Sequence, residues 1–508
     1  MPELSLKQRD RYSFELKLRY LLDEQRPRSQ SYHLDLYFFL PYAFHIDGST
    51  YPPELFYEDL KLYLRFDTPE FSAQELLDPA SAASPLARLE RLMHAFEQDG
   101  TYPDRKRWAY EAKMLGCVYK SLLRNRLRSL VDRPQGAQET QEAAHEFRQL
   151  AQVAERFHEL SERIQSAEGF EPLQQTSELI DEHLSLLFER YAISYVRAVS
   201  ADGKGANRSP EIERLIAREV AYRKRRGYPT VADPQAGEPK LEEYVYREKM
   251  LKRYASQILF FRIRKTNQGK RTQHVLYALA AGIAMMVATG IAFYGQTVYG
   301  NVTLSLFVLL VASYMLKDRI KDLFREAFTR TLGRRFFDRK DRVYDRLRKK
   351  RLATVRERVH FTPHDKLPDT IRSLRDRGSF EREVAEEGSE KVLAYQQRVQ
   401  LRGGVLNRVH NRIHGVADVG VVDLERMLRY LALQYGAVPL LDEEEALEVR
   451  RAKRMYHLNV IAHYRSEHEE QRYRFRFIVD AKGIRRIEPA SSGLRSAPFR
   501  DRVVLLNT

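Results

Sequence analysis

Residues 272–316 read TQHVLYALAAGIAMMVATGIAFYGQTVYGNVTLSLFVLLVASYML, 45 positions without a Lys, Arg, Asp or Glu. In a chain whose mean hydropathy is −0.54, such a gap in charge decides the reading. It predicts two apolar helices joined by a turn. The first runs from Val275 to about Tyr294, and helical residues rising about 1.5 Å each cover roughly the 30 Å of a hydrocarbon core over that length. The second runs from about Tyr299 to Leu316, with Gly295-Gln296-Thr297-Val298 as an uncharged turn. Ala280, Ala284, Ala288 and Ala292 recur every four residues. They predict a small-residue packing stripe, facing the second span or another subunit.

The flanks orient this pair. Arg262, Arg264, Lys265, Lys270 and Arg271 precede it, Lys317, Arg319, Lys321 and Arg325 follow it, and the turn carries none. Cations gather on the cytoplasmic side. The expectation is therefore a two-span membrane protein with both termini cytoplasmic, in the inner membrane if the chain is bacterial. The expected partners are a bilayer with an anionic inner leaflet and a protein partner or a second copy. Net charge is +16 over 508 residues, but no nucleic-acid motif is evident and the residues nearest the spans need only lipid. Nucleic acid is therefore not an expected partner. Met1 to Ser13 is charged and lacks the apolar core of a signal peptide.

Working outward, Tyr12 to Tyr20 and Tyr32 to Leu40 alternate apolar and polar residues, as does Tyr473 to Asp480, and Tyr456 to Tyr464 is β-like. Each predicts a strand. A lone hairpin is marginal in water, so the strands near the two chain ends are expected to share one small sheet. Two separate small domains are the alternative. Between them the pattern reads helical. Phe147, Leu150, Ala154, Phe157, Ser161 and Ile164 step like a coiled-coil seam. The expected fold class is an α-rich membrane protein (α+β), with a transmembrane helical hairpin between two cytoplasmic arms. The expected regions are a strand–helix region 1–82, a helical region 83–200 with an antiparallel hairpin, and loops with a membrane-proximal helix 201–271. The hairpin 272–316, a basic amphipathic helix 317–360 and a C-terminal α+β region 361–508 follow.

No catalytic motif stands out. His410, His414 and Asp418 have helical spacing, but Gly415 and Gly420 interrupt the helix and no second ligand cluster is evident, so no metal is expected. Arg402-Gly403-Gly404-Val405 lacks the spacing of a phosphate loop and reads as a tight turn. Cys117, the only cysteine, reads as a small core residue. No cofactor and no catalytic residue is assigned. The functional expectation is a membrane-tethered scaffold, sensor or regulatory subunit. The alternative is a membrane-anchored enzyme without a linear motif.

Overall fold

Ser13 to Leu21 forms a strand because its apolar residues recur every second position. Phe14, Leu16, Leu18 and Tyr20 all lie buried on one face. The structure, a computed structural model, describes residues 3–489 except 23–28, 100–103, 134–136, 167–169, 202–208, 232–234, 236, 267, 301–302, 333–336, 346–348, 376–389, 410–414, 433–434 and 442–446.

The chain opens with β1 (Glu3–Gln8), β2 (Ser13–Leu21), β3 (Gln30–Pro41), α1 (Pro53–Asp59) and β4 (Leu60–Phe66). A helical module follows: α2 (Ala73–Leu77), α3 (Pro85–Asp99), α4 (Arg105–Val131), α5 (Ala137–Ser166), α6 (Glu171–Ala201), α7 (Pro210–Arg226) and α8 (Glu238–Ser256). Next come β5 (Arg262–Arg264), α9 (Gln268–Tyr299), α10 (Leu304–Leu332), β6 (Arg339–Tyr344), β7 (Arg351–Thr362), α11 (Asp369–Arg375) and β8 (Glu390–Leu401). The remainder is α12 (Gly403–Val409), β9 (Gly415–Asp423), α13 (Glu425–Leu428), β10 (Tyr435–Leu441), β11 (Leu447–Lys453), β12 (Tyr456–Ser466), β13 (Glu470–Asp480) and β14 (Gly483–Pro489).

Two antiparallel sheets dominate the body. The larger has 8 strands in the order β14-β13-β12-β3-β8-β7-β6-β5, and the smaller has 4 in the order β1-β2-β9-β4. Their inner faces pack together. Phe14 meets Phe477 at 4.7 Å between ring centroids, and Tyr20 stacks on Tyr32 at 4.9 Å. Inside, the Tyr32 hydroxyl donates to Asp418 Oδ2 at 3.0 Å. Leu34, Leu62, Gln397 and Asp418 line a cavity of about 10 Å³ there, no larger than one water molecule. Burial pushes the Asp418 carboxyl up to about 7.

These sheets correct the expected fold class, because the strands are neither few nor confined to the chain ends. Tyr32–Leu40, Tyr456–Tyr464 and Tyr473–Asp480 lie in the larger sheet, whereas Tyr12–Tyr20 lies in the smaller. The segment read as a basic helix to residue 360 is helical only to Leu332 and then forms β6 and β7. Gly403 begins a short helix rather than sitting in a tight turn. The seam from Phe147 to Ile164 is buried in the helical module, where α5 packs on α2, α6 and α7. It is the core face of a bundle and not a coiled coil.

The two-span membrane hairpin is also corrected. Among the described residues one helix is long and apolar enough to cross a membrane, His274–Val298 within α9. In α10 the uncharged run covers only Leu304–Leu316, about 20 Å at 1.5 Å per residue against the roughly 30 Å needed. Beyond it the helix carries Lys317, Asp318, Arg319, Lys321, Asp322 and Arg325. With one qualifying helix, the multi-pass localisation and the placement of both termini on one side lose their basis.

What α9 and α10 do form is a protruding pair. Ala280 and Ala284 are buried, and the Ser313 hydroxyl donates to the Ala288 carbonyl at 2.9 Å. Thus the alanine stripe borders α10. A side chain at Gly295 would collide with Leu309, so glycine there allows the close approach. The pair is inserted into a β-hairpin: β5 and β6 are antiparallel neighbours, with Arg264 opposite Arg342. The Lys340 amide donates to the Thr266 carbonyl at 3.1 Å, and the Thr266 amide to Asp341 Oδ1 at 3.0 Å. Joining Thr266 to Phe337 through a Gly/Ser linker of about six residues, long enough for this gap, is expected to leave the body folded. Its unfolding temperature should stay within about 3 °C of the parent, since surface changes away from packed features are small. Loss of cooperative unfolding would show that the pair is integral to the body.

The helical module carries an unusual interior. Trp108 is buried and donates Nε1–H to Ser177 Oγ at 3.0 Å. Deeper in, His158 lies between Asp181 (2.6 Å) and Glu219 (3.2 Å). The Tyr222 and Tyr228 hydroxyls both donate to Asp181 Oδ2 at 2.7 Å. The buried Arg223 guanidinium reaches Glu189 and Ser185, and Arg247 pairs with buried Glu182 at 2.7 Å.

Candidate functional site

The outward face of the larger sheet is set by strand parity. On β3 the inward residues are Tyr32, Leu34, Leu36 and Phe38, so His33 and Asp35 point outward. Register then aligns four cations and a histidine from five adjacent strands. Lys340 on β6 is opposite Arg356 on β7, Arg356 is opposite Arg398 on β8, Arg398 is opposite His33 on β3, and His33 is opposite Arg465 on β12. Neighbours in this row are about 4.8 Å apart in the hydrogen-bonding direction. A second row begins with Arg264 on β5 opposite Arg342 on β6.

The far end of the same face is not open. Tyr37, Phe39, Val392, Ala394 and Ile461 are covered there by Leu367 and by Ile371 and Leu374 of α11. The cationic end is accessible: Arg342, Arg398 and Arg465 are exposed, and Lys340, Arg356 and His33 are half-buried. Arg398 lies over the Phe337 ring at 5.1 Å. Arg465 pairs with Asp35 at 2.5 Å. Among the described residues, Lys340, Arg342, Arg356, Arg398 and Arg402 have no ion-pair partner.

The electrostatic consequence is visible in the titrating groups. His33 is held below its ordinary value, first by burial and then by Arg398 and Arg465, with Asp35 opposing. Arg351 is lowered by burial and by the field of Arg402, Arg342 and Arg356. Like charges placed directly opposite on a sheet are destabilising. A row of them is therefore suited to an anion laid across it. Arginine forks match phosphate oxygens two at a time.

Of the cations chosen from the sequence, Arg264 belongs to this face and Arg262 is exposed beside it on β5. Lys265 is exposed immediately after β5, and Arg319 is exposed on α10. Lys317 lies over the Tyr314 ring at 3.8 Å. Lys321 pairs with Asp318 at 3.8 Å, and Arg325 pairs with Asp322 at 3.9 Å and covers Tyr277. The side chains of Lys270 and Arg271, together with His410 and His414, lie outside the described residues. Ala292 is half-buried on α9. Among the described residues no group of three or more His, Cys, Asp or Glu is placed to hold a metal ion.

Sequence reasoning missed the row because Lys340, Arg356, Arg398, His33 and Arg465 share no linear motif; only strand register joins them. Compared with models of protein families, with curated proteins and with solved structures, the chain matches none.

Proposed function

We propose that the chain is a scaffold or regulatory subunit without catalytic chemistry of its own, and that it holds a nucleic-acid strand on the cationic face of its larger sheet. The observation that carries this reading is the row from Lys340 to Arg465. Two further features support it. The sequence pI is about 9.6, the electrostatic footprint of such binders. Phe337 beneath Arg398 puts an aromatic ring beside the row, which offers a stacking surface to a base.

The test is fluorescence anisotropy with a labelled 20-nucleotide single strand, titrated between about 50 and 200 mM salt, the range over which phosphate contacts weaken steeply. Arg356→Gln with Arg398→Gln is expected to weaken binding at least tenfold. It should also lower the log–log salt slope by about 1.4, two phosphate contacts at about 0.7 each for single strands. The same variant should unfold no lower than the parent, because it relieves a repulsive cross-strand pair. Unchanged affinity in the variant, or binding to anionic vesicles but not to nucleic acid, would overturn the reading.

A further inference from the structure

A second group of cations lies away from the sheet face, where α4, α6 and α8 meet. On α4, Lys113, Cys117, Lys120 and Arg124 follow one another at steps of four, three and four, which puts them on one helical face. The three helices are drawn together at Gly116. A methyl group there would touch Ala255 of α8 and His183 of α6, at 3.4 and 3.5 Å. The Cys117 thiol donates to the Ala255 carbonyl at 3.4 Å, and Lys113 is absorbed by the Tyr254 ring at 3.8 Å.

One turn farther along, the charges lack this accommodation. Among the described residues Lys120, Arg124 and Lys252 have no carboxylate partner, and Arg124 donates only to Ser121 Oγ at 3.3 Å. Of the carboxylates nearby, Glu248 pairs with Arg190 and Asp67 with Arg19, which leaves Glu15 as the one acting on Lys252. Behind the cations His183 is fully buried and its Nδ1 has no hydrogen-bond partner among the described residues. Burial, and then Lys120 and Lys252, hold that imidazole neutral, down to about 3.

We propose that Lys120, Arg124 and Lys252 form a binding site for a small phosphate monoester, independent of the sheet face. Lys120 is half-buried, with Arg124 and Lys252 exposed at its mouth, and cations crowded against a half-buried amine are compensated when an anion completes them. A single carboxylate would leave most of the charge uncompensated. A phosphate monoester carries about two charges and three strong acceptor oxygens, enough for one guanidinium fork and two ammonium groups.

The site has a signature beyond affinity. Burial pushes Lys120 down to about 7, helped by Lys252, Arg124 and Arg190 and opposed by Cys117. Lys252 is lowered by burial and by Arg190 and Lys249, with a hydrogen bond to Lys120 and the charge of Glu15 opposing. An arriving anion favours the charged amine, so binding near pH 7.5 takes up a proton.

Isothermal titration calorimetry of the full chain with inorganic phosphate and with glycerol 3-phosphate, in two buffers of different ionisation enthalpy, tests this. Saturable binding is expected for both, with net proton uptake read from glycerol 3-phosphate, which is already the dianion near pH 7.5. Lys120→Met and Arg124→Met should each weaken it at least tenfold, and Lys120→Met should abolish the uptake. Lys252→Met, at an exposed position, is the variant to read if Lys120→Met does not fold. Arg356→Gln with Arg398→Gln should bind phosphate as the parent does, which separates this site from the sheet face. Parent-like binding in the Lys120, Arg124 or Lys252 variants would overturn the proposal. So would absence of binding at millimolar phosphate, or binding to phosphatidic acid vesicles without binding to either soluble phosphate.

Discussion

Replacing Asp181 with alanine is expected to lower the unfolding temperature of the helical module by on the order of 10 °C. Removing one member of a buried charged pair costs about 3–5 kcal/mol, and about 1 kcal/mol shifts a unit of this size by about 2–4 °C. Asp181 accepts from His158, Tyr222 and Tyr228 at once. The alanine variant leaves two hydroxyls and a cationic imidazole without it in a dry interior. The pH dependence gives a second reading. Burial pulls His158 down, but Asp181 and Glu219 outweigh it and raise the ring to about 9 from an ordinary 6.5. A group raised in the folded state contributes stability that is complete below about pH 6.5 and is lost as pH climbs through about 9. The parent module should therefore weaken across that window, by roughly 3 kcal/mol on 1.36 kcal/mol per unit. Asp181→Asn, which keeps an acceptor but not the charge, should flatten the slope. Circular dichroism melts at pH 6, 7.5 and 9 check this. A variant as stable as the parent at pH 6 would show that the network is not worth what its burial implies.

Asp418→Asn is expected to act in the opposite direction and stabilise the body at pH 8. Burial between the sheets raises the carboxyl from 3.8 to about 7. Its contribution is complete below about pH 3.8 and is lost as pH rises through about 7, where the folded chain must hold a charge in an apolar cavity. Asparagine removes that charge while still accepting from the Tyr32 hydroxyl. The gain should be about 3–4 kcal/mol above pH 8 and small near pH 4. Denaturant titrations at pH 5 and pH 8 measure it. A variant less stable than the parent at pH 8 would mean that ionised Asp418 is supported by its surroundings. The two windows, 3.8–7 and 6.5–9, are distinct enough that each variant removes one limb of the pH profile.

Strands half-exposed in the fold were legible from the chain. β2 alternates because one face meets the core. β8 was not legible: Val392 and Ala394 are buried under α11 while Leu393 and Tyr395 are buried between the sheets. A strand covered on both sides loses its period of two and imitates a helix. The same applies to β7, where Leu352, Ala353, Thr354 and Val355 are all buried. The long uncharged segment was legible as apolar but not as two spans, because Lys317 ends the second run before it reaches full length. The alanine stripe was visible in the chain, since it depends on spacing within one helix. His158, Asp181 and Glu219 come from three different helices, and the row on the sheet face comes from five strands. Such groupings arise only when tertiary pairing is known.

The position of β3 also governs how the chain must be made. Its neighbours are β8 and β12, so Phe39 lies opposite Val392 and Asn459. At synthesis rates of about 5–20 residues per second, the partner roughly 420 residues later emerges about 20–80 s after β3 does. Until β8 has been made, Tyr32, Leu34, Leu36, Phe38 and Phe39 belong to a strand without its partner at either edge, and until β12 follows one edge still lacks its partner. Such a segment is prone to aggregate. Shielding of β3, by a chaperone or by early packing on the helical module, therefore favours correct assembly until the far end of the sheet has been made.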